Sequence, residues 1–303
     1  MNTKPIIGIG NRDAQQKFIA ENRGYFDEWP LLEPVIERVF LNRSVNPPSD
    51  EALAAVAHLP EDNPEVLAIE DKYKADLIVY MLGRIAVDDF SEIVVLAGNG
   101  WGIGAWKLVR GMYERVVTSA HIAKAPAASR AFAASIWTHS AKVLKRVVAL
   151  DPAYVEDIPT ETVDTIRSEA KKAQDAKNES VCKHCGQIKK VEAWTALDLA
   201  SMARDVGQHL EELYLPCYLE STAHMHATGA GVSARMQLVE EVWGYRMDTT
   251  KEARTALHLG HNLILQNIGI QNDYSNLGLD DLIRPRLAAF VAIWGKAPSP
   301  DQG

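Results

Sequence analysis

The sequence predicts an all-α protein, a multi-helix bundle with long antiparallel helices and a smaller N-terminal helical region. Three observations lead to that class. Apolar residues recur at helical spacing over long stretches, as in Leu67, Ile69, Leu77, Ile78, Met81, Leu82, Ile85 and Val94. Prolines and glycines mark breaks between such stretches. No segment alternates strongly enough to build a sheet. The best strand candidate, Ile93-Val-Val-Leu-Ala97, ends a helical pattern and is read as helix.

The elements follow in order. Residues 1–12 read as a loosely attached arm. Asp13 to Arg43 reads as helix, interrupted near Trp29-Pro30 and Glu33-Pro34 because proline lacks the amide that a helix interior needs. Asn46-Pro-Pro-Ser49 is a break, and Ser49 is placed to cap a helix opening at Asp50. Residues Pro60 to Pro64 end that helix. Glu65 to Leu96 is the first long helix, closed by Gly98-Asn-Gly100, and a second runs from about Trp101 to Ala123. Pro126 opens a third that reaches about Leu150; Pro152 and Pro159 bound the next connection. Glu161 to Ser180 is charged and alanine-rich, an exposed helix or arm. Helical pattern resumes near Trp194 and continues to Ala227, with Gly207 and Pro216 as bend points, until Gly229-Ala-Gly231 breaks it. Two last helices are expected at Thr250 to Asn272 and Leu279 to Trp294. The resulting organisation is an N-terminal helical region at 1–64, a principal bundle at 65–296 with a charged arm at about 155–191, and a loose tail at 297–303.

Composition narrows the function. The 303 residues are 47% hydrophobic and 24% charged, with a formal net charge of -8. Such a surface disfavours nucleic acid, which demands clustered Lys and Arg, although it leaves a local basic groove open. No apolar run reaches the roughly 18 residues that span a bilayer. The N-terminus lacks the apolar core and cleavage site of a signal peptide, and three cysteines suggest no disulfide framework. A cytoplasmic location is expected. Partners are unknown, with a homo-oligomer open.

Two polar stripes on otherwise apolar helices carry the functional signal. Arg110 and Glu114 are four apart and share a face, continued by Val117, Thr118 and His121. Tyr214, Tyr218, Ser221 and His224 follow at spacings of four, three and three. Facing each other, the stripes would line a polar pocket. The alternative for each is structural: an ion pair that fixes helix register, and a hydrogen-bonded polar layer. Buried, the Arg110–Glu114 pair would lose about 3–5 kcal/mol on removal of Glu114 alone; exposed, it would lose little. A Ser–His nucleophile also needs an oxyanion hole and a group that orients the histidine, and neither is visible.

Other motifs are shorter. Cys182-x-x-Cys185-Gly is half of a zinc knuckle, and a complete site would draw on Cys217 and a histidine such as His184, His209 or His224, or on a partner chain. Zinc is the one cofactor the sequence raises, against an unligated loop. Arg204 and His209 match the Arg-x4–6-His pattern of HEPN-type helical ribonucleases, against a surface Arg and a helix-face His. Gly98-Asn-Gly-Trp-Gly-Ile-Gly104 lacks the preceding strand of a dinucleotide fingerprint and reads as a tight helix connection. His258 and His261 lack neighbouring carboxylates at bundle-metal spacing and read as solvated or core histidines.

The order of these segments resembles the bacterial family catalogued as domain of unknown function 5677. That resemblance rests on Leu-Val-Arg110-Gly-Met-Tyr-Glu114, on Trp194-Thr-Ala-Leu-Asp-Leu-Ala-Ser-Met-Ala203 with Gly207, and on Tyr214-Leu-Pro-Cys-Tyr218-Leu-Glu-Ser221-Thr-Ala-His224. It covers roughly Lys72 to Asn272 and implies an α-helical protein without an assigned activity, with Arg110, Glu114, Tyr218, Ser221 and His224 as matching residues. Neither the Cys182-x-x-Cys185-Gly segment nor Arg204…His209 belongs to the pattern. Three readings stand: an uncharacterised protein whose bundle holds a polar pocket for a small anionic ligand, a metal-independent ribonuclease or defence toxin using Arg204 and His209, and a non-enzymatic interaction protein that docks through the cysteine-bearing arm.

Overall fold

The computed structural model describes residues 12–176, 179–181, 188–190, 193–226, 228–239, 241–246 and 248–295. The protein is all-α. Its helices are α1 (Arg12–Glu21), α2 (Arg23–Ile36), α3 (Asp50–Val56), α4 (Pro64–Gly98), α5 (Gly102–Lys124), α6 (Ala128–Leu150), α7 (Thr160–Asp175), α8 (Leu199–Val206), α9 (Gln208–Glu212), α10 (Glu220–Met225), α11 (Gly229–Ser233), α12 (Thr250–Ser275) and α13 (Asp280–Trp294). Two short antiparallel hairpins join them: β1 (Glu179–Val181) with β2 (Ile188–Lys190), and β3 (Met236–Val239) with β4 (Val242–Tyr245). These hairpins carry only three or four residues per strand, too few for alternation to register in the sequence.

Local chemistry explains the departures from expectation. Helix α2 continues through Pro30 and Pro34 and passes into a π-helical turn at Glu37–Leu41. Burial of Leu32, Val35, Ile36, Val39 and Phe40 offsets the missing amides. The helix expected from Trp194 starts at Leu199, where the Asp198 carboxylate accepts the Ser201 amide at 2.7 Å. Gly229-Ala-Gly231 forms part of a single helical turn capped by Thr228, rather than a break. Ser49 accepts the Ala52 amide at 3.2 Å and caps α3.

The chain divides into two compact units. One comprises Asn46–Ile78 and Lys124–Ser201. In it α6 packs along α7, Ser129 donates to the Asp71 carbonyl at 3.1 Å, and Arg130 pairs with the Asp71 carboxylate at 2.7 Å.

The other unit comprises Met1–Val45, Val79–Ala123 and Met202–Gly303. Its core is built on α5 and α12, each of which buries about half of its residues. Val109, Met112, Tyr113, Val116, Val117 and Ile122 of α5 are fully buried, as are Leu263, Ile264 and Ile268 of α12. Buried amides of α12 fix its register: Asn267 donates to the Gly83 carbonyl at 2.9 Å and Gln271 to the Val79 carbonyl at 2.7 Å.

The connection at residues 98–102 sets where α5 begins. Gly100 turns with φ 78°, a left-handed conformation that glycine adopts freely. The Gly102 amide donates to Thr249 Oγ1 at 3.1 Å, and that hydroxyl donates to the Gly100 carbonyl at 2.7 Å. A Cβ on Gly102 would lie 2.1 Å from the Thr249 carbonyl oxygen and 2.3 Å from the Ala253 nitrogen. Backbone cannot yield there. Gly102→Ala should lose more than about 2 kcal/mol in chemical denaturation. Gly104→Ala, whose Cβ would meet only Leu96 Cδ1 at 3.6 Å, should be neutral or stabilise by up to about 1 kcal/mol.

The histidines of α12 belong to an aromatic layer. The His258 ring stacks on Trp294 at 3.7 Å, and His261 meets Phe290 edge-on at 5.0 Å. Burial lowers both from the ordinary 6.5 to about 4. The unfolded chain therefore binds more protons between those values, and stability falls as pH drops from about 6.5 to 4. Asp89 opposes this, because burial raises its carboxyl from 3.8 to about 6 despite Arg115 beside it at 2.5 Å. Two histidines outweigh one carboxyl. Urea titrations at pH 7, 5.5 and 4.5 should show the acid loss in the parent chain, and His258→Phe/His261→Phe should abolish it.

Candidate functional site

Trp106, Lys107 and Arg110 on α5 meet the segment from Tyr214 to His226. That segment is not a regular α-helix. Pro216 has no amide to bond back, so residues Leu215–Leu219 form a π-helical turn. The Glu220 amide bonds the Leu215 carbonyl, and the following carbonyls are met by side chains. Trp106 Nε1 donates to the Pro216 carbonyl at 3.3 Å, Ser221 Oγ to the Cys217 carbonyl at 2.5 Å, and Thr222 Oγ1 to the Tyr218 carbonyl at 2.5 Å.

This geometry redistributes the predicted stripe. Ser221 is fully buried and spends its proton on Cys217, so it lines no pocket. Tyr214 and Tyr218 stack at 5.3 Å. Arg110 lies on them: its Nη2 donates to Glu114 at 3.1 Å and to the Tyr218 hydroxyl at 3.2 Å, its Nη1 contacts Met225 Sδ at 3.3 Å, and its guanidinium sits 4.5 Å from the Tyr218 ring centre. The Arg110 side chain is 16% exposed and that of Glu114 is 43% exposed. The pair is thus half open to water, and Arg110 keeps other partners when Glu114 is absent.

His224 opens elsewhere. It packs on Trp106 at 5.1 Å and lines a cavity of about 630 Å³. Lys107 of α5, His226 after α10, Arg235 and the hairpin residues Trp243 and Tyr245 line the same cavity. No carboxylate lines it among the described residues. Arg235 donates from Nε to the Tyr245 hydroxyl at 2.8 Å. Arg246 anchors the hairpin base by bonding Glu252 and the Ala234 carbonyl. Burial lowers the His224 pKa; Glu252 opposes that, while Lys107, Arg246 and Arg235 add to it.

Four of these residues escaped the sequence reading. Lys107, Arg235, Trp243 and Tyr245 carry no motif, and the hairpin that presents two of them is too short to detect. His226 was visible but sits two residues from His224. On a helix it would face away; in fact the backbone turns extended there, with φ -108° and ψ 154°.

The remaining candidates lie apart from this cavity. Arg204 is bound by Glu211 at 2.7 Å, and His209 is exposed on the next helix. Cys217 is fully buried, and burial pushes its thiol well up. Cys182 and Cys185, with His184, lie outside the described residues. Among the described residues no group of three or more His, Cys, Asp or Glu could hold a metal ion. A second cavity of about 880 Å³, in the unit of α6 and α7, is lined mainly by alanines with Trp137 and Trp194.

Exposure decides the energetics of the Arg110 pair. Glu114→Ala should cost under about 1 kcal/mol, not the larger loss expected of a buried pair. Arg110→Ala should cost about 1–2 kcal/mol, through the hydrogen bond and ring contact with Tyr218. Thermal and urea denaturation of the two variants check the order.

No helix among the described residues is long and apolar enough to cross a membrane. No curated protein and no solved structure matches the chain. A protein-family model does: it is described as "Family of unknown function (DUF5677)" and aligns with residues 76–241. The aligned stretch runs from α4 through α5 and α10 into β3, taking in the Arg110 cluster and the α5 and α10 walls of the cavity. With more than half of its length matched, the chain belongs to this family of unknown function.

Proposed function

We propose that this protein binds a small anionic ligand in the cavity beneath the β3–β4 hairpin. One observation carries the reading: Lys107, His224, His226 and Arg235 converge on a single cavity with no carboxylate among its described lining residues. A volume of about 630 Å³ falls in the range of small-ligand sites. Charge-assisted hydrogen bonds from such groups are the strong ones, and an anion relieves the mutual repulsion of the cations. Arg110 and Tyr218 are positioning residues in this scheme. They hold Met225 and so the end of α10, which sets His224 against Trp106. The ribonuclease reading would require Arg204 to leave Glu211, to which its Nε donates at 2.7 Å.

Sulfate, whose charge is constant across the pH range, is a suitable probe. It should raise the melting temperature at low ionic strength, and Lys107→Ala and Arg235→Ala should each weaken binding about tenfold, the loss of one charge-assisted hydrogen bond. Lowering the pH from 7.5 to 5.5 should tighten binding, because a protonated His224 attracts the anion. The groups that face His224 are Lys107, Arg235, Arg246 and Glu252. Because burial and the neighbouring cations hold its pKa down, His224 should act toward the acid end of that range. His224→Gln should remove the pH response. No sulfate binding by the parent chain would end the proposal.

A further inference from the structure

The cavity has two chemically different walls. One carries Lys107 and His224, from α5 and α10. The other is the hairpin, whose register sets Met236 opposite Tyr245 and Leu238 opposite Trp243. Side chains alternate along a strand, so these four residues share one face. That face is apolar, and Met236, Trp243 and Tyr245 line the cavity. It is also open: Trp243 is 64% exposed and Tyr245 57%. The Tyr245 hydroxyl is held by Arg235, which fixes an aromatic ring and a guanidinium as one edge where the two walls meet.

We infer that the anion taken here carries a planar aromatic body, the arrangement of a nucleoside 5′-monophosphate. This rests on the anion-binding reading above and deepens it. The phosphate lies against Lys107, His224 and Arg235, and the base lies on Trp243. A bare anion leaves the indole in water. An aromatic one covers it, and every base offers a π-face for stacking.

The test titrates the full chain at pH 7.5 with adenosine monophosphate, adenosine and inorganic phosphate, by calorimetry and tryptophan fluorescence. The monophosphate should bind at least about tenfold more tightly than phosphate, the size of one stacking contact, and should quench fluorescence. Trp243→Leu should bring its affinity down to that of phosphate and leave phosphate binding unchanged. Trp243→Phe should recover part of the loss, which a merely misfolded hairpin would not. Equal binding of monophosphate and phosphate overturns the aromatic inference and leaves the anion site standing. Adenosine binding as tightly as its monophosphate, with phosphate inert, overturns both readings, as does the absence of binding by any of the three.

Discussion

The candidate cavity depends on one close approach of backbone to backbone. Where α4 ends and α5 begins, residues 100–102 lie against Thr249 and the first turn of α12 with no side chain between them. A single hydroxyl, that of Thr249, both accepts the Gly102 amide and donates to the Gly100 carbonyl. Two polar groups of a buried turn are satisfied at once. The contact fixes the start of α5, which carries Lys107, relative to the chain that leaves the hairpin. Arg246 extends the same junction by tying the hairpin base to Glu252 of α12. The cationic wall and the aromatic wall are thus held from one point.

The second determinant is the π-helical turn at Pro216. A proline in a helix interior deprives a carbonyl of its partner and shifts the hydrogen-bond register. Here the shift exposes carbonyls that Trp106, Ser221 and Thr222 then satisfy. Residues that look chemically active in sequence are thereby committed to structure. Ser221 is a hydrogen-bond donor inside the turn, and Tyr218 is the platform for Arg110. His224 alone of that series reaches the cavity.

Charge follows the same division of labour. The guanidinium of Arg110 has a carboxylate, a phenol and an aromatic face around it, so its charge is spent locally. Lys107 stands on a cavity without described carboxylates, so its charge acts outward. This difference makes Arg110 part of the packing between α5 and the Tyr214–His226 segment, while Lys107, about one turn nearer the N-terminus of α5, lines the candidate cavity.

The sequence by itself determined the helical class, the two long helices around Gly98–Gly100, the cap at Ser49, the bend points at Gly207 and Pro216, and the family. Each of these is written in local signals: apolar periodicity, a capping hydroxyl, a glycine or proline at a break, an ordered set of short motifs. It also brought Arg110 and the Tyr218–His224 segment to notice as polar residues on apolar helices. Tertiary structure decided what those residues do. A regular helix was the only basis for the proposed stripe, and the π-helical turn at Leu215–Leu219 separates Tyr214 and Tyr218 from the regular α10 that carries Ser221 and His224. The hairpin with Trp243 and Tyr245 was invisible because four-residue strands leave too little alternation to detect. For His258 and His261 the sequence left solvated and core positions both open, and packing against Trp294 and Phe290 decided between them. Which face of a helix meets which neighbour is a property of packing between distant segments, and spacing along the chain does not encode it.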